Sequence, residues 1–185
     1  MTINWKKIKI RSLAALVCDE LNKNNIDAVL VGGACVSIYT DQTYVSYDLD
    51  FVSHASLKSI TNALSALGFQ KEGSRHFIRK DCPFYLEFVS PPVSVGNTPI
   101  KAKGTIKTEF GSLKLLTPTD SVKDRLAAFY HWNDPQALEQ AVMVARAQKV
   151  NFTEIRKWSE EEGNREKHKI FFKLLQDSSN DQKLK

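Results

Sequence analysis

Two stretches of this sequence have the residues of buried β-strands, and both carry acids where a core should be. Tyr47-Asp-Leu-Asp-Phe-Val52 alternates in character. Successive strand side chains point to opposite faces. Asp48 and Asp50 therefore share one face, with Cα atoms about 6.5–7 Å apart, and Leu49 and Phe51 share the other. Phe84-Tyr-Leu-Glu-Phe-Val89 is otherwise apolar but holds Glu87. A charge in such a strand needs a partner or a metal. If the two strands are neighbours, the three carboxylates converge and repel one another. A hard cation such as Mg²⁺ (or Mn²⁺), which prefers carboxylate oxygens, compensates them. The plainer alternative is a sheet edge that faces water.

The residues before the acidic pair strengthen the first reading. Ala28-Val-Leu-Val31 reads as a buried strand that runs into Gly32-Gly33, and Gly33 to Tyr39 reads as a short helix. Glycines at such a turn let backbone N–H groups approach an anion, and the helix N-terminus adds a favourable dipole. The Ser37 hydroxyl is a candidate phosphate contact. The turn matches neither Gly-Lys-Ser/Thr nor Gly-x-Gly-x-x-Gly phosphate loops. Taken alone it also suits an ordinary strand-to-helix connection.

The rest of the chain divides in two. Residues 4–24 show helical spacing through Ile8, Leu13, Leu16, Val17 and Leu21, and Asn22 to Asn25 break the pattern. Ser56 to Leu67 fits a helix closed by Gly68. Arg75–Arg79 and Phe84–Val89 can form a hairpin, Pro91–Gly104 is loop-like, and Ser112–Leu116 is a further strand. At Thr117 the composition changes. Thr117-Pro118-Thr119-Asp120 is a helix start, with a cap, a proline at the first position and an acid in the first turn. Asp134-Pro135 repeats it, Asn151 or Thr153 can begin a third helix, and Gly163 separates a fourth. The expected layout is an α+β fold. A small mixed sheet with flanking helices spans 1–116, a helical bundle 117–177, and a flexible tail 178–185.

Composition removes several function classes. The 185 residues are 42% hydrophobic, enough for a sizeable core in one domain or one domain with a small appendage. No apolar run approaches the ~18 residues of a membrane span. Lys6, Lys7, Lys9 and Arg11 before Leu13–Cys18 imitate a secretion signal, but that apolar stretch is too short. Three cysteines at 18, 35 and 82 fit neither a disulfide framework nor a zinc site, which favours a reducing, cytoplasmic setting. A net charge of +5 permits a nucleotide or RNA partner without demanding one.

The ordered set Val31-Gly32-Gly33, Asp48-Leu49-Asp50-Phe51 and Glu87 resembles the nucleotidyltransferase superfamily of the DNA polymerase beta type. Within it the chain looks most like small prokaryotic proteins related to abortive-infection and toxin–antitoxin enzymes. Those also follow the sheet half with a helical half opening on Leu-Thr-Pro-Thr-Asp or similar, here Leu116 to Asp120. The resemblance covers roughly Asp27 to Ala147. Many relatives have Arg-x-Thr-x-Asp before the pair. This chain keeps the hydroxyl at Ser46 but has Tyr44 in place of the arginine.

The resemblance implies a metal-dependent enzyme that moves a nucleoside monophosphate from an NTP to an acceptor hydroxyl. Asp48, Asp50 and Glu87 are then the catalytic, metal-holding acids. Gly32, Gly33, Ser37, Ser46, Lys123 or Arg125, and Asp134 bind the nucleotide. Charges on the 117 helix equally suit a solvated face, and Asp134 suits a simple N-cap before Pro135. RNA or tRNA is the favoured acceptor, an antitoxin protein is a possible partner, and no membrane is involved. A protein or small-molecule acceptor, or a non-catalytic nucleotide- or RNA-binding protein on the same fold, are the alternatives.

Overall fold

Apolar alternation builds the middle of the sheet. β1 (Ala28–Val31), β2 (Asp48–Ser53) and β5 (Tyr85–Val89) lie side by side around Leu30, Leu49, Phe51, Leu86 and Phe88, all buried. Phe51 stacks on Phe88 with ring centroids 5.4 Å apart, and Phe77 meets Phe88 edge-on. The computed structural model describes residues 3–89, 91, 94–96, 98–99 and 104–181. The outer strands are β3 (Gln70–Glu72), β4 (His76–Ile78), β8 (Gly104–Thr108) and β9 (Gly111–Leu115). Among the described residues they complete a seven-stranded mixed sheet in the order β3-β4-β5-β2-β1-β9-β8. β2 runs parallel to β5 and antiparallel to β1, and β1 runs parallel to β9. A separate two-stranded ladder joins β6 (Ser94–Val95) to β7 (Thr98–Pro99).

Helices cover the sheet. α1 (Ile10–Lys23) turns Ile10, Leu13, Ala14, Val17, Cys18 and Leu21 inward at three- and four-residue steps. It packs on β1 and β9 and against α3 (Leu57–Ser65), whose cap Ser56 accepts from the Ser59 amide. α2 (Gly32–Tyr39) grows directly from β1 and packs on β2.

The helical half begins where expected. Thr117 Oγ1 accepts from the Asp120 amide and donates to Asp120 Oδ2, which starts α4 (Pro118–Trp132). Asn133, in a left-handed conformation at φ 54°, ends it. α5 (Pro135–Ala147), α6 (Phe152–Glu161) and α7 (Arg165–Asp181) follow. Tyr130 stacks on Trp158 at 5.6 Å, and Phe171 is fully buried. One cluster of buried side chains runs from Ile10 to Phe171, through α2, α4 and α5, so the sheet and the bundle share a core. The α+β architecture read from the sequence is the one observed.

Four local expectations need correction. The N-terminal helix does not start near residue 4, because Ile8 and Lys9 are extended between a 3-10 turn (Trp5–Lys7) and α1. β3 and β8 add strands that the sequence pattern does not mark; both are edge strands and carry no fully buried side chain. The 91–104 stretch contains the β6–β7 ladder, and residues 92–93, 97 and 100–103 of it lie outside the described residues. α7 continues through Asp181, into the stretch expected to fray; residues 182–185 lie outside the described residues.

Candidate active site

Strand register brings the acids together. β2 and β5 are hydrogen-bonded neighbours, with Asp50 directly opposite Glu87 and Asp48 opposite Tyr85. Parallel partners in register project to the same face, so all three acids stand on the face opposite Leu49, Phe51, Leu86 and Phe88. β4 adds His76 opposite Glu87. A transverse row therefore runs Asp50, Glu87, His76 across three strands.

The electrostatics report the crowding. Burial, then the charges of Asp48 and Glu87, push the Asp50 carboxyl from 3.8 up to about 6. Arg125 opposes this and Asp124 reinforces it. The Tyr85 phenol is also raised, by burial and by the same three acids. Glu87 has its own partners. Arg75 Nε lies 2.5 Å from one of its oxygens and His76 Nε2 lies 3.1 Å from the other.

The glycine turn abuts this face. Gly32 has φ +70°, a left-handed conformation, and a Cβ added there would lie 2.6 Å from Asp50 Oδ2. A Cβ at Gly33 would lie 3.0 Å from Ser46 Oγ. Position 32 thus requires glycine for close approach of α2's first turn to the acidic strand, and a side chain at Gly33 would press on Ser46. Ser46 is buried and ties the two elements together. Its amide donates to Ser37 Oγ at 2.8 Å, and its hydroxyl donates to Asp48 Oδ1.

These contacts correct the role expected of Ser37. It is wholly buried and its oxygen is taken by the Ser46 amide, so it positions Ser46 rather than reaching a phosphate. Lys123 likewise does not face the acids. It is buried between Asp120 Oδ1 at 2.9 Å and Glu154 Oε1 at 2.8 Å. Burial works against its charge, but hydrogen bonds to those two acids outweigh it and hold its pKa up. Arg125 is the cation of α4 that acts on Asp50. Its Nε and Nη2 donate to Asp124 Oδ2 at 2.9 and 2.6 Å, and Nη1 reaches Gln140 Oε1 at 3.4 Å. Asp134 Oδ1 accepts from the Gln136 and Ala137 amides, which makes it the N-cap of α5. Arg75, His76 and Asp124 belong to the site and were not among its expected residues. The only trace of the first two in sequence is their place on the strand that pairs with Phe84–Val89.

The donor set fits a hard divalent cation in its chemistry. It is oxygen-only, and the Asp50 carboxyl is raised by burial and then by the charges of Asp48 and Glu87, a repulsion a cation relieves. Asp48, Asp50 and Glu87 would hold it. Among the described residues no three His, Cys, Asp or Glu side chains already stand in a metal-holding arrangement. In the described rotamer, both Glu87 oxygens are engaged by Arg75 and His76.

No protein-family model and no curated protein matches the chain. Solved structures do. One is an antigenic nucleotidyltransferase-like protein from Paracoccidioides brasiliensis, 15% identical, with a TM-score of 0.56 over 74% of this chain and 75% of that one. Another is the antibiotic-resistance factor ANT(2'')-Ia, 10% identical, with a TM-score of 0.49 over 92% of this chain and 96% of that one. The first establishes that the fold is nucleotidyltransferase-like.

Proposed function

We propose that this chain transfers a nucleoside monophosphate from an NTP to an acceptor hydroxyl with the help of Mg²⁺ or Mn²⁺. The observation that carries the reading is the convergence of Asp48, Asp50 and Glu87 on one sheet face, against the glycine turn. A fold built only for stability has no reason to gather three carboxylates on one sheet face, where burial and the charges of Asp48 and Glu87 raise the Asp50 carboxyl.

Each residue then has a task. When bound, the cation neutralises phosphate oxygens and favours in-line displacement. Gly32 and Gly33 present the backbone N–H groups of α2's first turn to the phosphates, and the helix dipole assists. Ser46 fixes the Asp48 carboxylate by donating to Oδ1. Arg125 supplies positive charge beside Asp50 as negative charge moves onto the pyrophosphate. Glu87, once released from Arg75 and His76, accepts the proton of the attacking hydroxyl at a carboxylate oxygen.

RNA or tRNA is the favoured acceptor. The net charge of +5 supports it, as does the family resemblance, which also supports ATP or another NTP as donor and an antitoxin protein as partner. Three thiols without a disulfide, at Cys18, Cys35 and Cys82, support a cytoplasmic setting. Among the described residues no helix is long and apolar enough to cross a membrane.

The engagement of Glu87 by Arg75 and His76 favours one second reading, a nucleotide- or RNA-binding protein without catalysis. A single experiment separates them. The purified chain is incubated with each α-labelled NTP, Mg²⁺ and total RNA, and label is followed into RNA, protein and small molecules. Transfer to RNA is expected. No transfer to any acceptor, with no metal-dependent NTP binding, would discard the enzyme.

A further inference from the structure

α4 carries a second feature that the acids do not account for. Trp132, at its last turn, is 76% exposed, more than any other large apolar side chain among the described residues. It lines a groove of about 350 Å³ with Asp124, Arg125, Ala127, Ala128 and His131, and Gly96 forms the opposite wall. Arg125, Ala128 and Trp132 follow a three- and four-residue spacing, so they lie along one side of the helix. Seven residues at 1.5 Å each put Trp132 about 10.5 Å along the axis from Arg125.

The two ends of the groove differ in chemistry. At one end Arg125 and Asp124 stand on α4, which packs on α2, the helix whose first residue, Gly32, abuts the Asp50 carboxylate, so the groove opens toward the acidic face. Asp124 holds two donors of the Arg125 fork, so Arg125 serves there through its charge rather than as a direct ligand of a base. Ala127 and Ala128 keep the floor low. At the other end stands the open indole of Trp132, with the His131 ring edge-on to it at 6.1 Å. His131 is fixed by Glu162, whose Oε2 lies 3.3 Å from Nε2. Gly96 lets the wall sit close, since a Cβ there would come within 2.7 Å of the Glu162 carboxylate. An uncharged flat ring suits this end. Every nucleobase has a π face that stacks on an aromatic side chain, and the volume is within the range of small-molecule sites.

The geometry points to a nucleobase subsite in the α4 groove, with the base stacked on Trp132 and its edge toward His131. This rests on the proposed nucleotide chemistry of the adjoining acids. The base has two possible sources, the donor NTP or a terminal nucleotide of an RNA acceptor.

The test measures equilibrium binding to wild type, Trp132→Ala, Trp132→Phe and Ala128→Leu. The probes are the four free nucleosides without metal, a non-hydrolysable NTP analogue with Mg²⁺, and single-stranded RNA trinucleotides. Thermal melting accompanies each variant and is expected to be unchanged for the two Trp132 variants, because Trp132 is exposed. Trp132→Ala should weaken at least one class of probe about tenfold, while Trp132→Phe stays within about threefold of wild type. Ala128→Leu should weaken the same probe by filling the groove. A loss confined to the NTP analogue assigns the base to the donor, and one confined to the trinucleotide assigns it to the acceptor. Failure of wild type to bind any probe, or unchanged binding by Trp132→Ala, overturns the subsite. Nucleosides carry no phosphate and need no metal, so their binding stands even if label transfer fails. Conversely, label transfer with unaltered KM values in Trp132→Ala would sink the subsite alone.

Discussion

In the helical half, Lys123 lies buried between Asp120 and Glu154, and its charge is matched. In the sheet half, Asp50 lies beside Asp48, Glu87 and Asp124, with Arg125 as the opposing charge, and its carboxyl is driven up to about 6. Both groups sit in secondary structure that the same core supports. One is a structural ion network, held where desolvation is repaid by geometry. The other is a local excess of like charge, which the fold tolerates at a cost in stability. The difference separates the charges that hold this molecule together from those it holds ready.

The comparison breaks most sharply on activity. Asp48→Asn and Asp50→Asn keep side-chain shape and remove a negative donor. Each should lower nucleotidyl transfer about 10²–10³-fold, a loss of roughly 3–4 kcal/mol in the transition state, read as kcat/KM for label transfer. Melting temperatures should be unchanged or higher. If both variants melted far below wild type, the aspartates would be structural hydrogen-bonding groups.

Lys123→Ala should do the reverse. It strands Asp120, whose side chain is 10% exposed, while Glu154 at 50% can turn to water. Breaking a fully buried pair costs about 3–5 kcal/mol, so about 2–3 kcal/mol is expected here, measured by urea unfolding. Transfer per folded molecule should match wild type. A selective loss of activity would return Lys123 to the site.

The sheet half should also reveal itself through pH. The folded pKa of Asp50, about 6, lies above the unfolded value of 3.8. Between these values the native state keeps a proton that the unfolded chain has released. Stability therefore falls as pH rises through the window, and the cost is complete above it. Asp50→Asn escapes this cost. Its advantage should be near zero below about pH 3 and reach about 2 kcal/mol at pH 7, at ~1.4 kcal/mol per pH unit less solvent screening. An advantage independent of pH would mean that crowding of charge is not its source.

Much of this site could be read in sequence because strand geometry has period two. Asp48 and Asp50 had to share a face, and Glu87 had to join them once β2 and β5 were neighbours. The Thr117-Pro118 start was equally plain, since a cap and a proline act locally. What escaped depended on long-range placement. β3 and β8 are edge strands with little to bury, so no apolar pattern marks them. Arg75 and His76 reach Glu87 through a register that the long 79–84 connection does not fix, unlike a two-residue turn. The choice between Lys123 and Arg125 was set by how Val122 and Leu126 seat α4 in the core, which orients the whole helix. Ser37 showed a hydroxyl in the right turn of the right helix, but only packing shows that turn facing inward.

The smallest predicted effect concerns Ser46, which belongs to both sides of the comparison: buried like Lys123, yet bonded to a site carboxylate like those around Asp50. Its hydroxyl donates to Asp48 Oδ1 while its amide is held by Ser37 Oγ. Ser46→Ala keeps the amide contact and removes only the hydroxyl. Asp48 is half-buried, so water can replace the lost donor, and stability should fall by only about 0.5–1.5 kcal/mol. The loss of orientation should appear in catalysis, as roughly a tenfold lower kcat with KM for the NTP nearly unchanged. Ser46→Thr should restore most of it, because it returns a hydroxyl to the same Cβ. A purely structural Ser46 would give equal losses of folded protein and activity, with kcat per folded molecule untouched. That outcome would remove Ser46 from the site and leave Asp48 positioned by its strand alone.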